Sequence, residues 1–355
     1  MNTIRISGQA ITCTNYTTPR LFDFRPHMLQ AAAEHFLTAG VSEIEIPQGV
    51  LDPEGRFPET GLDEAAVRET ISRLPKETRV IGSYLGSPNL GTDNAAFLTV
   101  QKRAMGQLIQ FFPEMQYVML HPAGAQLTDA GAIAGIVDTW AELGEYAAGL
   151  RPGFQCCLHN HYDSNCETAE QVLCYLDAIR AVNSPALKWA PDTGHSHGMG
   201  DRYLEILDAN ADLIGNWFHL KTRVPAFDKL HGGEKYRAER DIWGNPAEKG
   251  TGLYSGFVNC ADPEIETPLA RVFDIIARKA KPTNGVVVGA IEIDNPRQHP
   301  RLEVLCSVLY LRAVHNITPA LTFSRPRGGD CYGSSPAGQE ANSFSFSCVD
   351  GRKLR

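Results

Sequence analysis

The sequence predicts one closed (β/α)8 barrel. Three observations carry that prediction. Eight short β-rich runs alternate with eight helical patterns along the 355 residues, which is the signature of a parallel α/β fold. The glycine-rich turn that a doubly wound nucleotide-binding sheet needs after its first strand is absent. Ionisable residues gather at the ends of the fourth to eighth runs, where such a barrel places its active site.

The first strand is expected over RISGQAITC (5–13). In the following MLQAAAEHFLTAG, Leu29, Ala33, Phe36 and Leu37 share one helical face and Gly40 supplies the stop. SEIEIP (42–47) alternates Ile44 and Ile46 with Glu43 and Glu45, so its second face is acidic; those carboxylates either line a pocket or pair with an Arg or Lys in the barrel interior. AAVRETISRL leads to RVIGSYLG (79–86), FLTVQKRAMGQLIQFF to YVMLHP (117–122), and AIAGIVDTWAELGEYAAGL to FQCCLHNH (154–161). ETAEQVLCYLDAIRAV then precedes LKWAPD (187–192), and DRYLEILDANAD precedes GNWFHLK (215–221). PLARVFDIIARKA, GVVVGAIEID (285–294) and RLEVLCSVLYLRAVH complete the repeat. Trp189 and Trp217 follow the strand alternation and read as packing residues.

Two segments depart from the repeat. Residues 222 to about 265 far exceed the two to six residues usual in a βα connection, and they carry Gly232, Gly233, Gly250, Gly252 and Gly256 with Trp243 and Tyr254; loops of this length are commonly functional lids or disordered. The Gly-, Ser-, Pro- and Arg-rich C-terminus has no periodicity, which divides the chain into a barrel, 1–318, and an irregular tail, 319–355.

Composition narrows the function. The net charge of −8, with no Lys/Arg cluster, lacks the footprint of a phosphate-backbone binder, so nucleic acid is not an expected partner. No apolar run approaches the length of a membrane span, and the N-terminus lacks the pattern of a secretory signal. Nine cysteines without a CxxC pair fit a reducing cytoplasm.

The strand ends carry the chemistry: His121; His159, Asn160 and His161; Asp192 and His195; His219 and Lys221; Glu292 and Asp294. Because strand residues alternate faces, His159 and His161 point one way, as do His219 with Lys221 and Glu292 with Asp294. Two imidazoles and two carboxylates drawn from four strands would make an N2O2 site for a divalent ion, with imidazole suited to Zn, Co, Fe, Ni or Cu and carboxylate admitting Mn and Mg. Each residue also has a plainer reading. Asp192 could be the N-cap of the next helix, His121 could cap a turn, and Lys221 could simply reach solvent.

PDTGH after the sixth strand, FHLK on the seventh and IEID on the eighth resemble the xylose-isomerase-like TIM barrels. These are the sugar-phosphate isomerase/epimerase family, with ketohexose 3-epimerases, hydroxypyruvate isomerases and inosose dehydratases as members and apurinic endonucleases as relatives. The resemblance covers roughly residues 5 to 317. It implies Asp192, His219 and Glu292 as metal ligands. The family's fourth ligand is commonly a Glu at the end of the fifth strand; here His159 takes that place with His161 beside it, an arrangement similar to the His-x-His of the dehydratase-like branch. The implied cofactor is a divalent ion, whether Mn, Co, Zn or Mg. Glu292 is the implied base, His159 or His161 the second acid/base in place of the missing carboxylate, with His161 named for that role, His195 and His121 substrate-binding groups, and Lys221 an oxyanion stabiliser.

The expected enzyme is thus a divalent-metal-dependent isomerase or epimerase of a small sugar, polyol or keto-sugar, working through proton abstraction next to a metal-bound carbonyl and an enediolate. The alternative is a metal-dependent dehydratase of an inosose-like or keto-sugar substrate. An abasic-site endonuclease is disfavoured by the charge and by the missing second HxH-type cluster after the seventh strand, and a non-catalytic binding barrel by the intact Asp192, His219 and Glu292 set. No glycine-rich phosphate cradle is evident, which points to an unphosphorylated substrate. Barrels of this kind often pair as homodimers; the sequence marks no interface.

Overall fold

In a computed structural model, eight parallel strands form a ring with eight helices packed outside it. Residues 1–10, 26–47, 51, 62–86, 94–122, 129–161, 164–223, 255–256, 268–293 and 300–319 are described. The strands are β1 (Thr3–Gln9), β2 (Glu43–Pro47), β3 (Arg79–Gly86), β4 (Tyr117–His121), β5 (Gln155–His159), β6 (Leu187–Ala190), β7 (Trp217–Leu220) and β8 (Val286–Ile291). Sequence neighbours from β1 to β6 pair in order, β8 pairs with both β1 and β7, and all these pairings are parallel. Two parallel bridges, Trp189 to Ile214 and Asp192 to His219, join β6 to β7 and complete the ring. The protein is therefore a (β/α)8 TIM barrel.

The helices are α1 (Pro26–Thr38), α2 (Glu64–Arg73), α3 (Asn94–Phe111), α4 (Ala130–Leu150), α5 (Ala169–Val182), α6 (Tyr203–Asn210), α7 (Leu269–Lys279) and α8 (Pro300–His315). Each occupies an expected position. Leu29, Ala33 and Phe36 bury one face of α1, and Gly40 ends it with φ of +84°, a conformation that a Cβ disfavours. Asp63 and Asp129 cap α2 and α4, while Thr168 and Gln171 close a reciprocal capping box at α5. No helix among the described residues is long and apolar enough to cross a membrane. Cys156, Cys157, Cys166, Cys174 and Cys306 are unpaired thiols.

The segment after β7 has two short strands among its described residues, Thr222–Arg223 and Ser255–Gly256, which pair antiparallel. Trp243, Tyr254 and most of that segment, Asp294, and the tail from residue 320 lie outside the described residues.

The two faces of the strands build two cores. Outward residues such as Ile44, Ile46, Val118, Leu158 and Trp189 pack beneath the helices. A smaller cluster of Ile81, Tyr117, Met119, Cys157, Ala190, Trp217 and Val288 fills the barrel interior. Tyr117 stacks on Trp217 with ring centroids 3.9 Å apart, so both tryptophans pack, one on each side of the wall. Glu43 on the acidic face of β2 meets Arg5 at 2.7 Å and Arg79 at 2.8 Å, the interior pairing expected for a carboxylate on that face.

Tyr117 fits because its neighbour across β3 has no side chain: a Cβ on Gly82 would lie 2.1 Å from Tyr117 Cζ. Gly82→Ala should therefore overpack the interior and destabilise the protein by about 1–3 kcal/mol. Urea denaturation measures this; an unchanged midpoint would show that the Tyr117 ring can turn aside.

Candidate metal centre

The two-residue alternation carries chemistry up the interior wall. On β4 the inward series is Tyr117, Met119, His121; on β5 it is Cys157, His159, His161; on β7 it is Trp217, His219, Lys221; on β8 it is Val288, Ala290, Glu292. Asp192, two residues beyond inward-facing Ala190, completes the set. Apolar residues fill the lower part and ionisable ones the C-terminal end, as the sequence led one to expect.

Asp192 performs two tasks with two oxygens. Its Oδ1 accepts the Gly194 and His195 N–H groups, both at 2.7 Å, in the turn that leads into the 3-10 helix His195–Arg202. Its Oδ2 is fully buried without a well-formed hydrogen bond, with Lys221 Nζ at 3.1 Å, His159 Nε2 at 3.7 Å and His219 Nδ1 at 3.7 Å. Oδ1 is thus engaged with the turn that opens this helix, while Oδ2 faces the other ionisable groups. Asn160 fixes its backbone: Oδ1 accepts the Asp192 N–H at 3.1 Å and the Trp189 indole N–H at 3.3 Å.

His219 is held from both sides. Nδ1 meets Glu292 Oε2 at 2.7 Å and Nε2 meets Glu45 Oε2 at 3.0 Å. Glu45 also accepts from the Tyr117 hydroxyl at 2.8 Å and from the Gln9 side-chain amide. Glu45 is thus the support of His219, a role that the acidic alternation of β2 hinted at without naming the partner. Lys221 Nζ lies 2.7 Å from Glu292 Oε2 and 2.8 Å from His195 Nε2. It is 1% exposed and does not reach solvent. His161 and His121 are half-buried; the His161 ring sits 3.9 Å from that of His195 and 4.3 Å from that of His121.

Burial and neighbours set the charges. Burial holds the imidazoles of His121, His159 and His195 well below their usual range; nearby His161 adds to this for His121 and His195, and His219 for His159. They are neutral, the form that ligates metals. Burial also opposes charge on His219, but Glu45 and Glu292 outweigh it and raise its pKa well above the usual value. Burial pushes Asp192 up to about 7 against the pull of Lys221. Glu292 is driven well below the carboxylate range, because Lys221 and His219 overcome its burial.

The donor atoms of His159, Asp192, His195 and Glu292 all lie within 4.8 Å of one another, and those of His159, His161 and His195 form a second such group. Two neutral imidazoles with two carboxylates, and an orphaned carboxylate oxygen among them, fit a divalent ion of the Zn, Co or Mn kind. His195, expected at the substrate, stands in both groups. His219, expected as a ligand, presents Nδ1 to Asp192 and Glu292 but joins neither group.

The sequence profile of the xylose isomerase-like TIM barrels matches residues 31–241, more than half of the chain. The chain belongs to that family. No sequence among curated proteins matches it. D-allulose 3-epimerase from Methylomonas sp. is similar in structure, with a TM-score of 0.57 and 16% identity over 88% of this chain and 98% of that one. The probable 3-DHS dehydratase AsbF from Bacillus anthracis has a TM-score of 0.53 and 14% identity over 86% and 98%. The IOLI protein, solved with a bound zinc atom, has a TM-score of 0.54 and 15% identity over 88% and 97%. At these identities the likeness shows the fold of this xylose isomerase-like barrel and no more.

The charges make metal uptake pH-dependent. With its pKa raised from 3.8 to about 7, Asp192 is protonated below that pH, and a metal must displace the proton. Co²⁺ affinity should accordingly fall by roughly tenfold per pH unit below 7 for each proton displaced. Equilibrium dialysis at pH 8, 7 and 6 measures it, and a constant affinity would contradict this charge assignment.

Proposed function

We propose that this xylose isomerase-like barrel is a divalent-metal-dependent enzyme that enolises a small sugar, polyol-derived ketone or keto-sugar, acting as an isomerase or epimerase. The convergence of His159, Asp192, His195 and Glu292 within 4.8 Å at the C-terminal end of the strands supports the reading. The net charge of −8 favours a small polar substrate over nucleic acid.

His159, Asp192 and Glu292 would hold the ion, with the fourth donor from His195 or His219. When bound, it supplies a Lewis acid that polarises a substrate carbonyl and acidifies the neighbouring C–H. The protein's own groups move the proton. Glu292, kept ionised by Lys221 and His219, is the proposed base. His161, half-buried and adjacent to both His195 and His121, is the proposed partner that returns a proton or gives one to a leaving group. His121 and His195 orient the substrate's hydroxyls.

Dehydration is the second reading, and one observation favours it. Where the family resemblance calls for a carboxylate at the end of β5, this chain has His159, which burial keeps neutral, with His161 beside it, and an imidazole that has taken a proton can donate it to a departing β-hydroxyl.

The test is solvent exchange in heavy water with a panel of ketoses and inososes, run beside metal analysis. The wild type should hold a stoichiometric ion and incorporate deuterium next to the carbonyl, and loss of water would mark the dehydratase outcome. Asp192→Asn should lose both ion and exchange, and His161→Gln should slow turnover by roughly 10²–10⁴-fold while retaining the ion. Full exchange after metal stripping would overturn the reading.

A further inference from the structure

We propose that the ammonium of Lys221 and a divalent ion are alternative occupants of one seat, so that Lys221 is a built-in counter-ion that lowers the metal affinity of the barrel. The inference rests on the reading of the site as a metal centre.

Lys221 Nζ lies 2.7 Å from Glu292 Oε2, 2.8 Å from His195 Nε2 and 3.1 Å from Asp192 Oδ2, the last contact an ion pair without a well-formed hydrogen bond. All three belong to the four-residue group that converges as a metal site. His195 Nε2 and Asp192 Oδ2 are 4.0 Å apart. An ion held by both donors would lie too close to Nζ for the two cations to be there together. A cation cannot enter while another stays there.

The lysine is placed there by the fold. Thr193 Oγ1 donates to the Lys221 carbonyl at 2.7 Å and accepts the Lys221 N–H at 3.0 Å, which fixes the backbone. The stem then crosses Gly194 so closely that a Cβ on that glycine would lie 2.3 Å from Lys221 Cγ and 2.9 Å from Cδ. Gly194 has φ −84° and ψ −44°, an ordinary helical conformation open to any residue. The backbone does not require glycine at 194; passage of the lysine does.

The consequence is a site whose carboxylates are partly neutralised by the chain itself. Its carboxylates have an internal cation, so loading the ion means breaking charge-assisted hydrogen bonds that simpler donor sets lack. The site then fills only where free metal is plentiful, and it empties readily.

Co²⁺ binding by equilibrium dialysis, with the visible absorption of the bound ion as a second readout, tests this on the wild type, Lys221→Met and Gly194→Ala. Lys221→Met removes the competing charge, and Gly194→Ala keeps the charge but pushes the stem aside; both should bind Co²⁺ roughly 10- to 100-fold more tightly than wild type. Equal or weaker binding by folded variants would overturn the role of Lys221 while leaving the metal centre standing. Absence of Co²⁺ binding in all three proteins would overturn both. If the substitutions prevent folding, wild-type protein with ¹⁵N-labelled lysine side chains decides the matter. One solvent-protected ammonium signal should be present without metal and vanish with Zn²⁺; its persistence at saturating Zn²⁺ would refute the exchange of occupants.

Discussion

Three carboxylates, an ammonium and an imidazolium share the barrel interior, and their mutual neutralisation is the condition on which the upper half of the structure rests. Glu45, Asp192 and Glu292 are buried, as are Lys221 and His219. Ionised groups withdrawn from water need partners at contact distance, and removal of one partner strands another. The contacts run as a chain: Glu45 to His219, His219 to Glu292, Glu292 to Lys221, Lys221 to Asp192.

The same residues hold the barrel closed. Elsewhere in the ring neighbouring strands pair as named ladders, but among the described residues β6 and β7 are joined by the isolated bridges at Trp189 and Asp192, with Ile214 and His219 opposite. His219 N–H donates to the Pro191 carbonyl at 2.9 Å, and Thr193 N–H to the His219 carbonyl at 3.2 Å. The seam of the ring is thus the floor of the candidate site. A seam held by a few bonds tolerates small displacements better than a full ladder does, and it places the Asp192 and His219 side chains side by side. Stability and site geometry are coupled here through the backbone as well as through charge.

Strands, helices and the inward direction of each site residue were legible in the sequence because they depend on periods of two and 3.6 residues, which are local. His159 with His161, and His219 with Lys221, share the interior face for that reason. Depth and partner were not legible. Glu43 and Glu45 lie on one face of β2 two residues apart, yet Glu43 finds Arg5 and Arg79 while Glu45 finds Tyr117 and His219. What separates them is the stagger of strands distant in sequence, which no local pattern encodes. For the same reason the solvent reading of Lys221 fails, since its contacts come from Glu292 just past β8, from Asp192 and from His195 in the turn after it. Asp192 read as either a cap or a ligand, since a residue letter does not show that a carboxylate has two oxygens to assign.

The exchange of a carboxylate for His159 at the end of β5 makes sense within this charge balance. The family resemblance implies a glutamate there, which would bring a further buried negative charge against Asp192 and Glu292. His159 is neutral because it is buried, so it contributes a donor atom and no charge. With that glutamate absent, a single lysine together with protonated His219 comes close to balancing the three remaining carboxylates. Here the chain supplies the cation itself, and the histidine on β5 and the lysine on β7 are two halves of one electrostatic arrangement.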